Sequence, residues 1–260
     1  DSIIDTLEEM YILDEHKDDY KVSLSDDDTK NIEDAAKKFA DSNDSDTKEA
    51  VSGDEETVKK VLELLTIQNK METAMTAEVD TNVSDEEAAQ KKMQYVLFST
   101  KTTDSDGNST DMSDDEKAEV KKKAEDFQKD AASAEDFSVF ATAAGVSATD
   151  LTFDSDTTSP NEDLIKAADK LKEGEVTDVI EADNGYYVAK LVSLLDRDAT
   201  DTKKESIVSQ RKSDEYQSIY KKWKKKTDIK VHKKVWNTIS FADQGVTVKS
   251  TTEDTDSSSK

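Results

Sequence analysis

LIKAADKLKEGEVTDVIEADNGYYVAKLV, running from Leu164 to Val192, is the stretch on which the reading of the fold turns. Leu164, Ile165, Ala168 and Leu171 recur at three- and four-residue spacing, which predicts a helix, and Gly174 stands where a helix stop belongs. Val176, Val179 and Ile180 are β-branched and predict a strand. Asn184-Gly185 is a turn dipeptide, and Tyr186 to Val192 is a second β-rich run. A helix followed by two short strands about a tight turn points to an α+β fold with a small antiparallel sheet flanked by helices.

Working upstream, Met93 to Thr100 contains Tyr95, Val96, Leu97 and Phe98 in sequence and reads as a buried strand. A polar turn containing Asp106-Gly107-Asn108 separates it from a helix over 114–132 and another over 134–144. This order resembles the parvulin-type peptidyl-prolyl isomerase domain. There an aliphatic helix ends in Leu-x-x-Gly-Glu-Val-Ser, and a short strand leads to Gly-Tyr-His and a closing strand. Leu171, Gly174, Glu175, Val176, Gly185 and Tyr186 match position by position, with Thr177 in place of Ser. Phe137, Phe140 and Ala141 resemble the face that the family's Asp-Phe helix turns to its sheet. The family's loop with an Asp or Cys and a Gly-Gly-Asp-Leu-Gly signature is reduced here to Asp150-Leu151-Thr152-Phe153.

The resemblance also implies an activity and a site. Rotation about an X-Pro bond is slow because of its partial double-bond character, on the order of tens of seconds or longer uncatalysed. Its catalysis needs an apolar cup for the proline ring and groups that favour the twisted amide, with no covalent step and no cofactor. Carried onto this chain, the family's two His slots hold Tyr95 and Tyr187, the Thr slot holds Ala182 and the cup Phe slot holds Leu164. Tyr95, Phe153, Leu164 and Tyr187 are the implied substrate-binding residues. Because the usual polar groups are replaced together, the expected isomerase rate is weak or nil, and whether the chain is an enzyme stays open.

Composition narrows the partners. The chain has 260 residues, a formal net charge of -25 and 37% charged residues, a strongly acidic surface that phosphate backbones would repel. Nucleic acid is not an expected partner. There is no Cys, so no thiolate site or disulfide is available, and His16 and His232 show no ligand-like spacing. No metal is expected. Acid pairs such as Asp54-Glu55 are too common in this sequence to signal glycosidase chemistry. No apolar run reaches membrane-spanning length.

The chain's two ends read as helical. Ile3, Ile4, Leu7, Met10, Tyr11 and Leu13 predict an amphipathic helix over 1–20, and Ser25 with three following acids predicts a capped helix over 26–40. Residues 43–53 read as a polar loop. Val58, Val61, Leu62, Leu65, Met71 and Met75 form a stripe over 55–77, widened by Leu64 and Ile67; it reads as core, with a methionine-rich binding face as the alternative. Val83 to Glu87 repeats the apolar-Ser-acid device and predicts another helix start. Ile207, Val208, Tyr216, Ile219, Tyr220 and Trp223 predict a long helix over 202–225, followed by a strand at 229–231 and a helical turn within 235–241. Lys221 to Lys226 is the one basic cluster, read as a solvated helix end with an anionic polymer or membrane contact as the alternative. TTEDTDSSSK after residue 250 is low in complexity and expected to be disordered.

This plan resembles PrsA- and SurA-like foldases. The expected divisions are a helical chaperone region at 1–91, a parvulin-like domain at 92–198, a returning helix at 199–245 and an acidic tail at 246–260. The resemblance implies an extracytoplasmic foldase or chaperone whose partners are unfolded or nascent exported polypeptides, at the cell surface or on the outer face of a bacterial membrane. A start at Asp1 without Met or leader reads as a mature or trimmed fragment, and the family's lipid anchor and an upstream strand and helix would precede it. The alternative is a non-catalytic structural or adhesive surface protein. Client binding separates the two, and the oligomeric state is left open.

Overall fold

Most helix starts in the computed structural model, which describes residues 2–103 and 107–236, are set by a short polar side chain turned back onto the backbone. α1 (Ser2–His16) runs into a 3-10 turn over Lys17–Tyr20. α2 (Asp26–Ser42) opens with a reciprocal capping box between Ser25 and Asp28. The segment expected to be a loop contains α3 (Ser45–Ala50). Asp44 accepts from the Thr47 N–H at 2.8 Å, so a cap converts a polar stretch into a helical turn. α4 (Glu55–Met75) starts at Asp54, which caps Thr57.

The helix expected from Val83 to Glu87 is a single turn, α5 (Asp85–Ala88), because Ala89 already leaves helical geometry toward the next strand. β1 (Lys91–Ser99) follows, then a hairpin of β2 (Lys101–Thr103) and β3 (Ser109–Asp111) that composition did not reveal. Of the expected turn, Gly107 lies at φ +85 and Asp106 falls outside the described residues. α6 (Asp114–Ala131) has a Ser113–Glu116 capping box, and α7 (Phe137–Ala143) is capped by Asp136. Next come β4 (Thr149–Phe153), α8 (Glu162–Asp169), β5 (Ile180–Ala182), β6 (Gly185–Ser193), α9 (Arg197–Lys224) and α10 (Lys233–Trp236).

The chain forms two units, one of residues 80–210 and one of residues 1–79 with 211–260. In the second of these, Leu13, Val22, Ile67, Met71 and Met75 form a core to which Tyr216, Ile219 and Trp223 of α9 add their rings and methyls. The buried face of α4 is Leu64, Ile67, Met71 and Met75. The expected stripe is rotated, since Val61 and Leu65 are 41% and 37% exposed. Both series recur at helical spacing, and the aromatic residues of α9 cover only the one they face. The Tyr216 hydroxyl also donates to Glu9, and the Trp223 ring stacks on His16 at 4.2 Å. Ile229 to Val231 form no strand among the described residues. The Val231 carbonyl accepts from the Lys233 N–H at 2.9 Å and turns the chain into α10. The acidic tail lies outside the described residues.

The unit at 80–210 holds an antiparallel sheet in the order β4-β1-β6-β5. One face packs Val96, Phe98, Tyr186 and Val188 against Ala124, Phe127 and Ala131 of α6 and Phe137 and Ala141 of α7. The other packs Met93, Tyr187, Ala189 and Leu191 against Leu164, Ile165 and Ala168 of α8.

Two expectations for the opening stretch are corrected. The strand predicted from Val176 is only a single bridge from Val176 to Lys190, and regular pairing starts at Ile180. Between them, Thr177 donates its N–H to the Ala189 carbonyl at 2.9 Å and accepts the Ala189 N–H on its own Oγ1 at 3.0 Å, so a side chain takes the place of a ladder carbonyl. The hairpin turn is Asp183-Asn184, one residue earlier than predicted, because Gly185 pairs with Ala182 inside the ladder. Among the described residues, no helix is long and apolar enough to cross a membrane.

Candidate functional site

Alternation along β1 and β6 puts Tyr95 and Tyr187 on the α8 face of the sheet. Tyr95 lies opposite Ala189 and Tyr187 opposite Leu97, so the two tyrosines are diagonal neighbours across the two central strands. Their ring centroids are 5.9 Å apart at an interplanar angle of 53°. Tyr187 is 2% exposed, and its hydroxyl accepts from Asn184 Nδ2 at 2.9 Å. Tyr95 is half-buried.

The remaining predicted residues fall in the same apolar cluster. Leu164 projects from the first turn of α8, which Asn161 fixes by accepting from the Leu164 N–H at 2.9 Å. Phe153 ends β4. Both are 0% exposed and form the floor of the cluster, with Tyr95, Leu97, Leu151, Ile180 and Ala182 half-buried around them. Tyr95, Phe153, Leu164, Ala182 and Tyr187 are therefore brought together, from β1, β4, α8, β5 and β6 in that order.

Two polar clamps hold this arrangement. Lys91 donates to the Asp169 carbonyl at 2.6 Å and pairs with its carboxylate at 2.8 Å, tying the end of α8 to β1. Asp154, next to Phe153, accepts from Gln90 Nε2 at 2.8 Å and Lys203 Nζ at 2.9 Å. Burial pushes the Asp154 carboxyl up, but its hydrogen bonds with Gln90, Lys203 and Thr157 outweigh this and hold it well below the usual carboxylate range. The end of β4 is thus fixed by a charged group that stays ionised.

Sequence reading missed Asn184, Leu97, Leu151 and Ile180. Period-two alternation from Tyr95 could have found Leu97. Asn184 was read for its turn propensity, and only the shift of the turn by one residue puts its amide beside the Tyr187 hydroxyl. Chemically the site offers an apolar surface with two phenols. The Tyr187 oxygen already accepts one hydrogen bond, leaving its O–H as a donor. No group of His, Cys, Asp or Glu that could hold a metal occurs among the described residues.

Residues 110–203 match the family model of the PPIC-type PPIASE domain. That span includes Phe153, Leu164, Ala182 and Tyr187 and begins after the strand bearing Tyr95. No curated protein sequence matches the chain. Among solved structures, the foldase protein PrsA of Streptococcus pneumoniae aligns at 21% identity over 89% of this chain and 85% of that one, with a TM-score of 0.33. Peptidylprolyl isomerase (PrsA) of Bacillus cereus aligns at 20% identity over 89% and 84%, with a TM-score of 0.38. A chain from the work on the SurA-like chaperones PEB4 and Cj1289 of Campylobacter jejuni aligns at 11% identity over 88% and 87%, with a TM-score of 0.33.

Proposed function

We propose, from the match of residues 110–203 to the PPIC-type PPIASE domain, that the chain is a parvulin-type foldase that holds unfolded exported polypeptides and has lost most or all of its isomerase activity. The observation that carries this reading is the pairing of Tyr95 with Tyr187 at 5.9 Å on the two central strands, at the slots where the family resemblance expects two histidines. A tyrosine pair keeps two rings in contact there but has no imidazole to exchange a proton or to turn two donors toward an amide. Residues 80–210 serve as the parvulin-like domain, and the unit built from both chain ends serves as the chaperone region. Tyr95 and the half-buried apolar residues beside it form the surface a client segment meets, above Phe153 and Leu164. The working compartment is extracytoplasmic, with membrane attachment through an N-terminal lipid anchor.

Two measurements test the reading together. In a tetrapeptide assay the isomerisation rate stays at background and Tyr187→Phe leaves it there, while a several-fold excess of the chain suppresses aggregation of an unfolded test protein. A robust isomerase rate abolished by Tyr187→Phe would overturn the loss of catalysis. Absence of any effect on aggregation would favour a structural surface protein instead.

A further inference from the structure

Residues 221–236 hold eight lysines against the single Asp228, a net charge of +7, which leaves -32 on the rest of a chain whose total is -25. Lys221, Lys222, Lys225, Lys226, Lys233 and Lys234 are exposed, and none makes an ion pair among the described residues. Lys224 is engaged differently, pairing with Glu8 at 3.1 Å and Asp5 at 3.7 Å on α1.

The same segment lines an apolar groove. Ile4, Leu7 and Tyr11 of α1 face Ile229, Val231 and Trp236 across a space of about 280 Å³. Glu8 is the one charged residue lining it, and Lys224 neutralises it. Tyr11 is 54% exposed and the neighbouring Val235 66%. Free lysines beside exposed aromatic and aliphatic side chains are the combination that suits a headgroup layer, where cations meet anionic phosphates and aromatic rings sit at the boundary with the acyl chains.

We propose that this basic, groove-bearing face docks peripherally on an anionic phospholipid bilayer. A bilayer fits better than a soluble anionic polymer because a polymer would engage the lysines alone and leave the groove unused. It fits better than a second copy of the chain because the groove of that copy would bring its own lysines up against these, like charge on like charge. The acidic remainder of the molecule does not prevent docking. Beyond a screening length of roughly 8 Å at physiological salt its repulsion fades, while lysines at the surface keep their attraction. The contact should therefore be weak at high salt and absent on neutral lipid.

The experiment uses the full chain and vesicles of phosphatidylglycerol and phosphatidylcholine in about equal parts, with pure phosphatidylcholine as control, read by co-sedimentation. The expected result is binding to the anionic vesicles only, weakened about tenfold or more between roughly 50 and 300 mM salt. Joint replacement Lys221→Gln, Lys222→Gln, Lys225→Gln and Lys226→Gln, which leaves Lys224 and its partners intact, should reduce binding by at least about thirtyfold. Trp236→Ser should reduce it about tenfold without changing the salt dependence. Circular dichroism of each variant checks that the helices persist. Failure to bind anionic vesicles overturns the proposal, as does binding indifferent to the lysines. Equal binding to soluble poly(glycerol phosphate) with no effect of Trp236→Ser assigns the face to a polymer. Lysine-dependent dimerisation without lipid assigns it to a second copy.

Discussion

Gly185 has a backbone φ of +143, and a Cβ built on it would lie 2.1 Å from the Phe98 carbonyl oxygen. The β-carbon therefore meets main chain, which cannot rotate away, so β6 could approach β1 at this register only with glycine. Gly185→Ala is expected to cost about 3 kcal/mol or more, read as a fall in the urea midpoint of the unit at 80–210. Thr177 tests a different principle. It is 2% exposed, and its Oγ1 accepts the Ala189 N–H at 3.0 Å. Thr177→Val keeps the shape but leaves that N–H buried without a partner, an expected loss of about 1–3 kcal/mol by the same measurement. Thr177→Ser, which keeps the oxygen, should recover most of it. Neither role was legible in the sequence. Gly185 was read as half of a turn dipeptide and Thr177 as a substitute for a family Ser, because both roles depend on what the neighbouring strand brings close. The Tyr95–Tyr187 pair was legible, but through family resemblance, since nothing in local propensity sets two tyrosines 92 residues apart on facing strands.

Among the elements, the long helices and the long strands β1 and β6 were legible in the sequence, and the short pieces, the capped helix α3 among them, were not. Ser25, Asp54, Ser113 and Asn161 each accept a backbone N–H two or three positions into the helix they start, and this chemistry is written in adjacent residues. β2, β3 and β5 are three residues each, too short for alternation to register, and exist because a partner strand supplies their hydrogen bonds. The cap of α2 also carries a pH dependence. The Lys70 ammonium first, then the Ser25 backbone N–H and hydroxyl, hold the Asp28 carboxyl at about 2, below its usual 3.8. A carboxyl lowered on folding contributes stability above its unfolded value, and that contribution is lost as pH falls through the folded one. The packing of α2 on α4 should therefore weaken between pH 3.8 and about 2. Both tryptophans, Trp223 and Trp236, lie in the unit made from the two chain ends, so tryptophan fluorescence reports its melting. Asp28→Asn should lower the melting temperature at neutral pH and flatten its decline in acid relative to the parent chain. An unchanged acid slope would place the dependence on other carboxylates.

At the scale of the whole molecule, one unit is continuous in sequence and the other is not, and this difference predicts how each behaves when cut out. The segment at 80–210 closes its own ends. Gln90 donates its N–H to Thr200 Oγ1 at 3.1 Å and accepts the Asp196 N–H at 2.7 Å, and Arg197 forks onto the Asp85 carboxylate at 2.9 and 2.7 Å. Both faces of its sheet are covered by helices drawn from within those limits. Residues 1–79, by contrast, leave Leu13, Ile67, Met71 and Met75 facing Tyr216, Ile219 and Trp223, which the chain supplies only after the 131 residues of the other unit. Without them, the cover of three large, half-buried side chains is lost, each worth less than the roughly 1.5–3 kcal/mol of a fully buried residue but together a large share of the stability of a small domain. Residues 80–210 expressed alone should give a dispersed amide spectrum and one cooperative melt, while 1–79 alone should give neither. Adding 211–236 to 1–79 as a separate peptide should restore helical signal in proportion to peptide concentration, because the lost cover then returns by association. A cooperative melt of 1–79 by itself would mean that α1, α2 and α4 bury enough of one another to stand without α9, and that the return of the chain serves something other than the stability of its first helices.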